Sequence, residues 1–196
     1  GRPSLPAGMV VSGSASPAFS RDGRRLYVAA AKAPKPARPA AAAAESEDKV
    51  TVDLWHWREG LVPPMQKVRA SQDRNRTYRG VLDLAAGTYA QLADEALPTV
   101  SLSDDGRRAL GYDDQPYRTR VDFDGRYADV YVVDTGTGAR RPVLTRLRSE
   151  SGLALNWSPD GRWAAYYQDR QWHVLNVEDG TSRSLTAGAS VAFHNE

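Results

Sequence analysis

Apolar residues in this 196-residue chain fall in short runs rich in Val, Tyr, Trp, Leu and Thr, each closed by Asp-Gly, Thr-Gly or Pro. Runs of that length and composition predict β-strands joined by tight turns, whereas the spacing of three to four residues that marks an amphipathic helix is weak throughout. The clearest unit covers 155–186: strand ALNWS, turn PDGR, strand WAAYYQ, turn DRQ, strand WHVLNV, turn EDGT, strand SRSLT. The unit before it has the same order, with TVSLS, DDGR, RALGYDD, a linker through Phe123, ADVYVVD, TGTG and RRPVLTR. The first unit reads PAFS, RDGR, RLYVAA, an insertion, KVTVDLWHWR as a long or doubled third strand, and then YRGVLDL, AAGT, YAQLAD. In LWHW the period-two alternation puts Val52, Leu54 and His56 on one strand face and Asp53, Trp55 and Trp57 on the other.

A single phrase punctuates all three units: an apolar residue, Ser, any residue, then Asp-Gly-Arg, at Phe19–Arg24, Leu102–Arg107 and Trp157–Arg162. A fixed turn repeated at wide spacing between strands is the mark of a repeat architecture, and four short antiparallel strands per repeat make a propeller blade. The expected fold is therefore all-β, a partial β-propeller of about three blades, each a four-stranded antiparallel meander. The expected boundaries are a lead-in at 1–15, blades at 16–95, 96–148 and 149–188, and the start of a further blade at 189–196. The first blade carries a Pro- and Ala-rich insertion at 32–48, whose composition predicts an extended loop, with a short helix over 40–46 as the alternative.

Turn chemistry explains the repeated carboxylates. Asp accepts backbone hydrogen bonds in the first turn positions, Gly takes the positive φ that an L side chain resists, and the Ser two residues earlier can cap the same turn. The segment Asp122-Phe123-Asp124-Gly125 resembles part of a calcium loop but lacks the third regularly spaced oxygen ligand and the closing Glu, so no metal site is expected.

Meander topology has a consequence for function. Turns between strands one and two and between strands three and four share one rim, and here they are short and stereotyped. The opposite rim receives the variable connections, namely the Pro and Ala tract and residues 115–126. Loop variation on a rigid scaffold is where binding is placed, so this irregular rim is expected to face a partner domain or ligand. Tyr112, Tyr117 and Arg118 lie near it and are the candidate substrate-binding residues.

Composition narrows the chemistry. The 26 Lys and Arg are scattered against 24 Asp and Glu, a formal charge of +2, and no concentrated basic surface for nucleic acid is expected. No apolar run approaches the roughly 20 residues needed to span a bilayer, and the opening Gly1-Arg2-Pro3-Ser4 lacks the hydrophobic stretch of an export signal. The absence of cysteine excludes disulfides, Cys-ligated zinc and a thiol nucleophile. There is no Gly-x-Ser-x-Gly elbow, Walker loop or His-Glu-x-x-His, so no catalytic residue and no cofactor is assigned. His56 and His173 read as strand histidines packed or hydrogen-bonded in a sheet, and His194 lies in the incomplete last unit. Trp55, Trp57, Trp157, Trp163 and Trp172 read as inter-blade packing, with an aromatic binding surface as the alternative.

The segments VDLWHWREGLVPPMQKVRASQDRNRTY, ALGYDDQPYR, YADVYVVDTGTG, WSPDGRWAAYY and WHVLNVEDGTSRSLT together resemble the N-terminal propeller region of large bacterial, dipeptidyl-peptidase-like members of the prolyl oligopeptidase family of serine peptidases. The Ser-Pro-Asp-Gly phrase by itself also resembles propellers of the periplasmic TolB type, which makes a freestanding binding or scaffold propeller the alternative. The peptidase resemblance implies a periplasmic or secreted parent protein with a C-terminal α/β-hydrolase domain, in which the propeller gates access and orients short peptides. No hydrolase segment and no Glu-Glu dipeptide of the kind that holds a substrate amino terminus is present in this sequence. Propellers close with about four to eight blades; an array of three leaves sheet edges and apolar faces open, and self-association through them is expected.

Overall fold

A computed structural model describes residues 4–34, 54, 56, 59–121, 123–149 and 155–191. Among the described residues thirteen strands, β1 (Met9–Val11), β2 (Ala18–Phe19), β3 (Arg25–Lys32), β4 (Tyr78–Asp83), β5 (Thr88–Gln91), β6 (Thr99–Leu102), β7 (Arg108–Asp113), β8 (Arg126–Asp134), β9 (Arg140–Ser149), β10 (Asn156–Trp157), β11 (Trp163–Gln168), β12 (Gln171–Asn176) and β13 (Ser182–Ser184), form three antiparallel sheets. The second and third sheets run β6-β7-β8-β9 and β10-β11-β12-β13 in chain order, two plain meanders. The fold is all-β, a partial β-propeller of three blades.

Blade one departs from its expected outline in three ways. Its third strand is β4, which pairs with β3 from Arg25↔Asp83 to Ala30↔Tyr78, and its fourth is β5. Both edges of β3 are taken, one by β4 and the other by β1 and β2, and KVTVDLWHWR, expected as the third strand, lies mostly outside the described residues. β1, drawn from the lead-in, pairs Met9 with Lys32 and extends the edge on which β2 pairs Phe19 with Leu26. The third departure is a twelve-residue helix, α1 (Pro63–Arg74), in the connection between β3 and β4. Two prolines at its first positions suit its N-terminus, where their missing N–H groups cost no hydrogen bond. None of its residues is buried, which is why it has no apolar stripe to read in the sequence. Most of the Pro and Ala tract, most of KVTVDLWHWR and the last five residues with His194 lie outside the described residues.

The core lies between blades. Tyr27, Val81, Ala90 and Leu92 of blade one meet Ala109 and Val133 of blade two, with Leu97 from the link between them. Leu110, Tyr112, Val130 and Val132 on the other face of blade two meet Ala164, Tyr166, Leu175 and Val177 of blade three. Strand alternation is the cause: Ala109 and Leu110 are neighbours in β7, so their side chains leave the sheet on opposite faces. Trp157 packs on this second cluster, as expected of an inter-blade tryptophan, whereas Trp172 remains 39% exposed.

Each Asp-Gly-Arg turn is built the same way. Ser20, Ser103 and Ser158 each donate their hydroxyl to the Asp two residues on, at 2.6 Å in all three. The same carboxylates accept the amides of Arg24, Arg107 and Arg162 at 3.0–3.1 Å, and the Ser carbonyls accept the Gly amides at 2.9 Å. The Ser hydroxyl oxygen also accepts the amide of the first strand-two residue, Arg25, Arg108 or Trp163. The Ser hydroxyl, the Ser carbonyl and one Asp oxygen of each phrase are used within the turn, whereas the Gly106 carbonyl accepts Arg25, Tyr27 and Thr135 from outside it.

Candidate functional site

Two rims follow from the meanders. On one lie the Asp-Gly-Arg turns and the turns between third and fourth strands. On the other lie the connection of blade one that carries α1, the 3-10 turn Gln115–Arg120 of blade two, and the two-residue turn Asp169-Arg170 of blade three. Asp169 and Arg170 both have positive φ (52° and 61°), the geometry of the tight hairpin that closes β11 onto β12.

The irregular rim of blade two holds a polar cluster. Tyr117 donates its hydroxyl to Asp129 Oδ1 at 2.7 Å, and the same oxygen accepts the Arg146 amide at 2.9 Å. The Arg146 guanidinium sits 4.9 Å from the Tyr127 ring centroid and 3.3 Å from Asp124 Oδ2. Tyr127 donates to Asp124 Oδ1 at 3.0 Å, and Arg120 reaches Asp124 Oδ2 at 3.3 Å. Beside them Arg118 grips Asp114 through Nε at 3.1 Å and Nη2 at 2.8 Å. Backbone geometry aims these groups: the register of β8 against β9 shifts on either side of Val130, and Arg146 has φ 51°, a left-handed conformation rarely adopted outside glycine.

Electrostatics follow the hydrogen bonds. The bond to the Asp129 carboxylate, assisted by burial, raises the Tyr117 phenol above its ordinary value, since loss of its proton would place two negative charges together. The Tyr127 hydrogen bond holds Asp124 below the usual carboxylate range; burial opposes this, and Arg120 and Arg146 reinforce it. Three carboxylates face three guanidiniums here, so the cluster carries no net charge and most of its polar groups are committed to each other. That arrangement holds a rim in shape and presents a mixed polar and aromatic surface. It contains no nucleophile beside a general base.

The three sequence-predicted residues separate. Tyr117 and Arg118 are half-buried on the irregular rim, and the insertion of blade one approaches them, Gly60 lying against the Arg118 side chain. Gln115 also ties this turn to the link after blade one, donating through Nε2 to the Glu95 and Ala96 carbonyls at 2.8 and 3.1 Å. Tyr112 does not reach the surface. It is 2% exposed, and its hydroxyl accepts the Leu155 amide at 3.1 Å, joining blade two to the first strand of blade three. Its position in β7 puts it on the face that blade three covers. Asp114, Asp129 and Arg146 were not singled out from the sequence; the only cue was the polar interruption after ALGYDD.

On the short-turn rim the arginines of one groove are engaged with carboxylates or with backbone carbonyls. A shallow groove of about 210 Å³ on the short-turn rim is lined by Arg108, Asp134, Arg140 and Arg141. Arg108 pairs with Asp134 at 2.9 Å, Arg140 with Asp94 at 3.0 Å, and Arg141 donates to the Val177 and Glu178 carbonyls. His56 is exposed, and His173 stacks on Tyr166 with ring centroids 5.1 Å apart. Among the described residues, His173 Nε2 and Trp157 Nε1 are buried without a hydrogen-bond partner. No group of three or more His, Asp or Glu arranged to hold a metal occurs among the described residues, and no described helix is long and apolar enough to cross a membrane.

No family model matches the chain, and no curated protein matches it. Among solved structures it is similar to TolB from Acinetobacter baumannii, at 16% identity and a TM-score of 0.38 over 87% of this chain and 31% of that one. It is similar to a eukaryotic initiation factor at 14% identity and a TM-score of 0.42, over 89% of this chain and 31% of the other. Acylaminoacyl peptidase from Pyrococcus horikoshii matches at 14% identity and a TM-score of 0.40, over 86% of this chain and 24% of the peptidase. The chain spans less than a third of the length of each of these three structures.

Proposed function

We propose that this chain is the non-catalytic propeller portion of a periplasmic or secreted serine peptidase, and that its irregular rim faces an α/β-hydrolase domain of the same longer protein. In this reading the blades gate access and orient short peptides, and the covalent chemistry belongs to the hydrolase domain. The observation that carries it is the division of labour between rims. On the short-turn rim the three Asp-Gly-Arg turns engage their own Ser and Asp side chains, while the opposite connections carry α1 and the Tyr117–Asp129–Arg146 cluster. Tyr117 and Arg118 are the proposed peptide-facing residues.

The test uses the full open reading frame. Further blades followed by Gly-x-Ser-x-Gly, then Asp and His, are expected downstream; a stop after closure of the propeller would instead leave a freestanding binding module. In the full-length enzyme, Tyr117→Ala and Arg118→Ala should change peptide turnover while the melting temperature stays near wild type. Unchanged turnover with both would remove these residues from the substrate path.

A further inference from the structure

Consecutive blades meet at their first turns. A methyl group added at Gly106 would lie 3.4 Å from Ser20 Cβ, and one added at Gly161 would lie 3.2 Å from Ser103 Cβ, so each later Asp-Gly-Arg turn locks against its counterpart on the blade before. The turns between third and fourth strands meet strands instead: Gly138 abuts the carbonyl of Gln91, the last residue of β5, and Gly180 abuts the side chains of Arg141 and Val143 in β9. The blades therefore converge at their first strands and splay at their fourth. Propeller sheets stand around a central channel, so the convergent edges, β2, β6 and β10, are the ones that line it.

In blade two the lining strand is unbroken, Thr99–Leu102 pairing residue for residue with Tyr112 back to Ala109. In blade one the same strand is split. Val11 pairs with Ala30 and Ala18 with Tyr27, so six residues, 12–17, stand opposite two, Val28 and Ala29. With the Asp-Gly-Arg turns aligned, Thr99 and Val100 fill in blade two the places that all six span in blade one. Extra residues in one strand of a ladder bend it and push chain out of the pairing line. β3 occupies one side of the split strand, and the channel lies on the other. Ser12 still donates its amide to the Ala29 carbonyl at 2.7 Å, and its Oγ accepts the Ser14 amide at 3.1 Å, which turns the chain out of the ladder. The segment, Ser-Gly-Ser-Ala-Ser-Pro, has no charge and no long side chain, so it obstructs without holding an ion or filling an apolar pocket.

We infer that residues 12–17 form a strap in the central channel that sets, by size and not by charge, which peptides pass along it to the hydrolase domain. The strap rests on the peptidase reading for its substrate and on strand register for its place. A segment of hydroxyls and backbone amides can hydrogen-bond any extended peptide, so it discriminates by width and length alone. It acts between the two rims, upstream of the Tyr117 and Arg118 surface.

The full-length enzyme tests it in two ways. Deleting residues 13–16 leaves Ser12 opposite Ala29 and Pro17 opposite Val28, so that β1 and β2 run as one strand. Pro17 suits that place: Arg25 and Ala29 turn their carbonyls to this edge, and by alternation Val28 turns its own backbone groups to β4. The expected result is loss of a length limit, kcat/KM for long peptides rising toward that for short ones while the short ones are turned over as before. A wild-type enzyme with no length limit, or a deletion variant that is folded by circular dichroism and keeps the limit, would overturn the strap. The second way needs neither turnover nor deletion. Ser14→Cys should react with N-ethylmaleimide and resist a maleimide carried on a small protein, read by mass on the peptide that contains residue 14. Ala139→Cys, at an exposed position on the short-turn rim, should react with both. Reaction of Ser14→Cys with both reagents, or with neither, would overturn its place in the channel. A full-length protein that cleaves no peptide would remove the peptidase reading and leave the labelling to decide the strap.

Discussion

Replacing Gly106 and Gly23 in turn by alanine separates the two reasons for which these glycines exist. Both have φ +68° in turns with identical hydrogen bonding, so the strain of placing an L side chain in the left-handed region, about 1–2 kcal/mol, is common to both variants. Among the described residues a neighbouring blade lies against Gly106 and nothing lies within 4 Å of a methyl group at Gly23. Its new methyl must displace the Tyr27 hydroxyl, and its carbonyl accepts Tyr27 Oη at 3.3 Å, Arg25 Nη1 at 2.8 Å and Thr135 Oγ1 at 2.7 Å. Overpacking of a closed contact costs about 1–3 kcal/mol, and the lost tyrosine hydrogen bond about 0.5–1.5 kcal/mol. Gly106→Ala should therefore destabilise the chain by about 1.5–4.5 kcal/mol more than Gly23→Ala. Urea unfolding reads the difference as a shift in midpoint at constant slope, at protein concentrations where the chain sediments as a monomer. Tyr27→Phe, which removes the obstructing oxygen, should recover part of the loss in a double-mutant cycle. Equal losses for the two alanine variants, within about 0.5 kcal/mol, would refute the inter-blade lock.

Tyr112→Phe should cost about 1–3 kcal/mol in the same assay, because it leaves the buried Leu155 amide without an acceptor; a neutral result would mean that this amide finds another partner. The Ser20 hydrogen bond, followed by the Arg24 amide, lowers the pKa of Asp22 below 3.8, so Ser20→Ala should raise it toward 3.8 in an NMR carboxyl titration. Because the folded value is the depressed one, the stabilisation from this turn is complete above the unfolded carboxylate pKa of about 3.9 and is lost as pH falls through the folded value. Asp129→Asn should bring the Tyr117 phenol down toward its ordinary value of 10.0 in a spectrophotometric titration, and an unmoved titration would contradict the Tyr117–Asp129 bond.

Local chemistry is legible from this sequence to the extent that it is local. The three Ser-x-Asp-Gly-Arg turns locate the first two strands of every blade, because Ser, Asp and Gly each serve the backbone within the same few residues. The third strand of blade one is not legible in this way. KVTVDLWHWR and YRGVLD have equal strand character, and only pairing with β3 decides between them. α1 is silent for a different reason: with no buried face it needs no apolar period. Tyr112 and Tyr117 look alike in the sequence, five residues apart, yet strand parity sends one beneath blade three while the 3-10 turn leaves the other on the rim. The Asp129–Arg146 contact joins residues on two strands across a shifted register, which no single-strand pattern encodes.

The division between a structural rim and a working rim is tested most directly by hydrogen exchange on the longer protein, with and without the region that follows these blades. The account predicts that the neighbouring region adds protection at residues 114–126 and along α1, and leaves the Asp-Gly-Arg turns at 22–24, 105–107 and 160–162 as they were. Added protection confined to those turns would place the partner on the opposite rim and contradict the account.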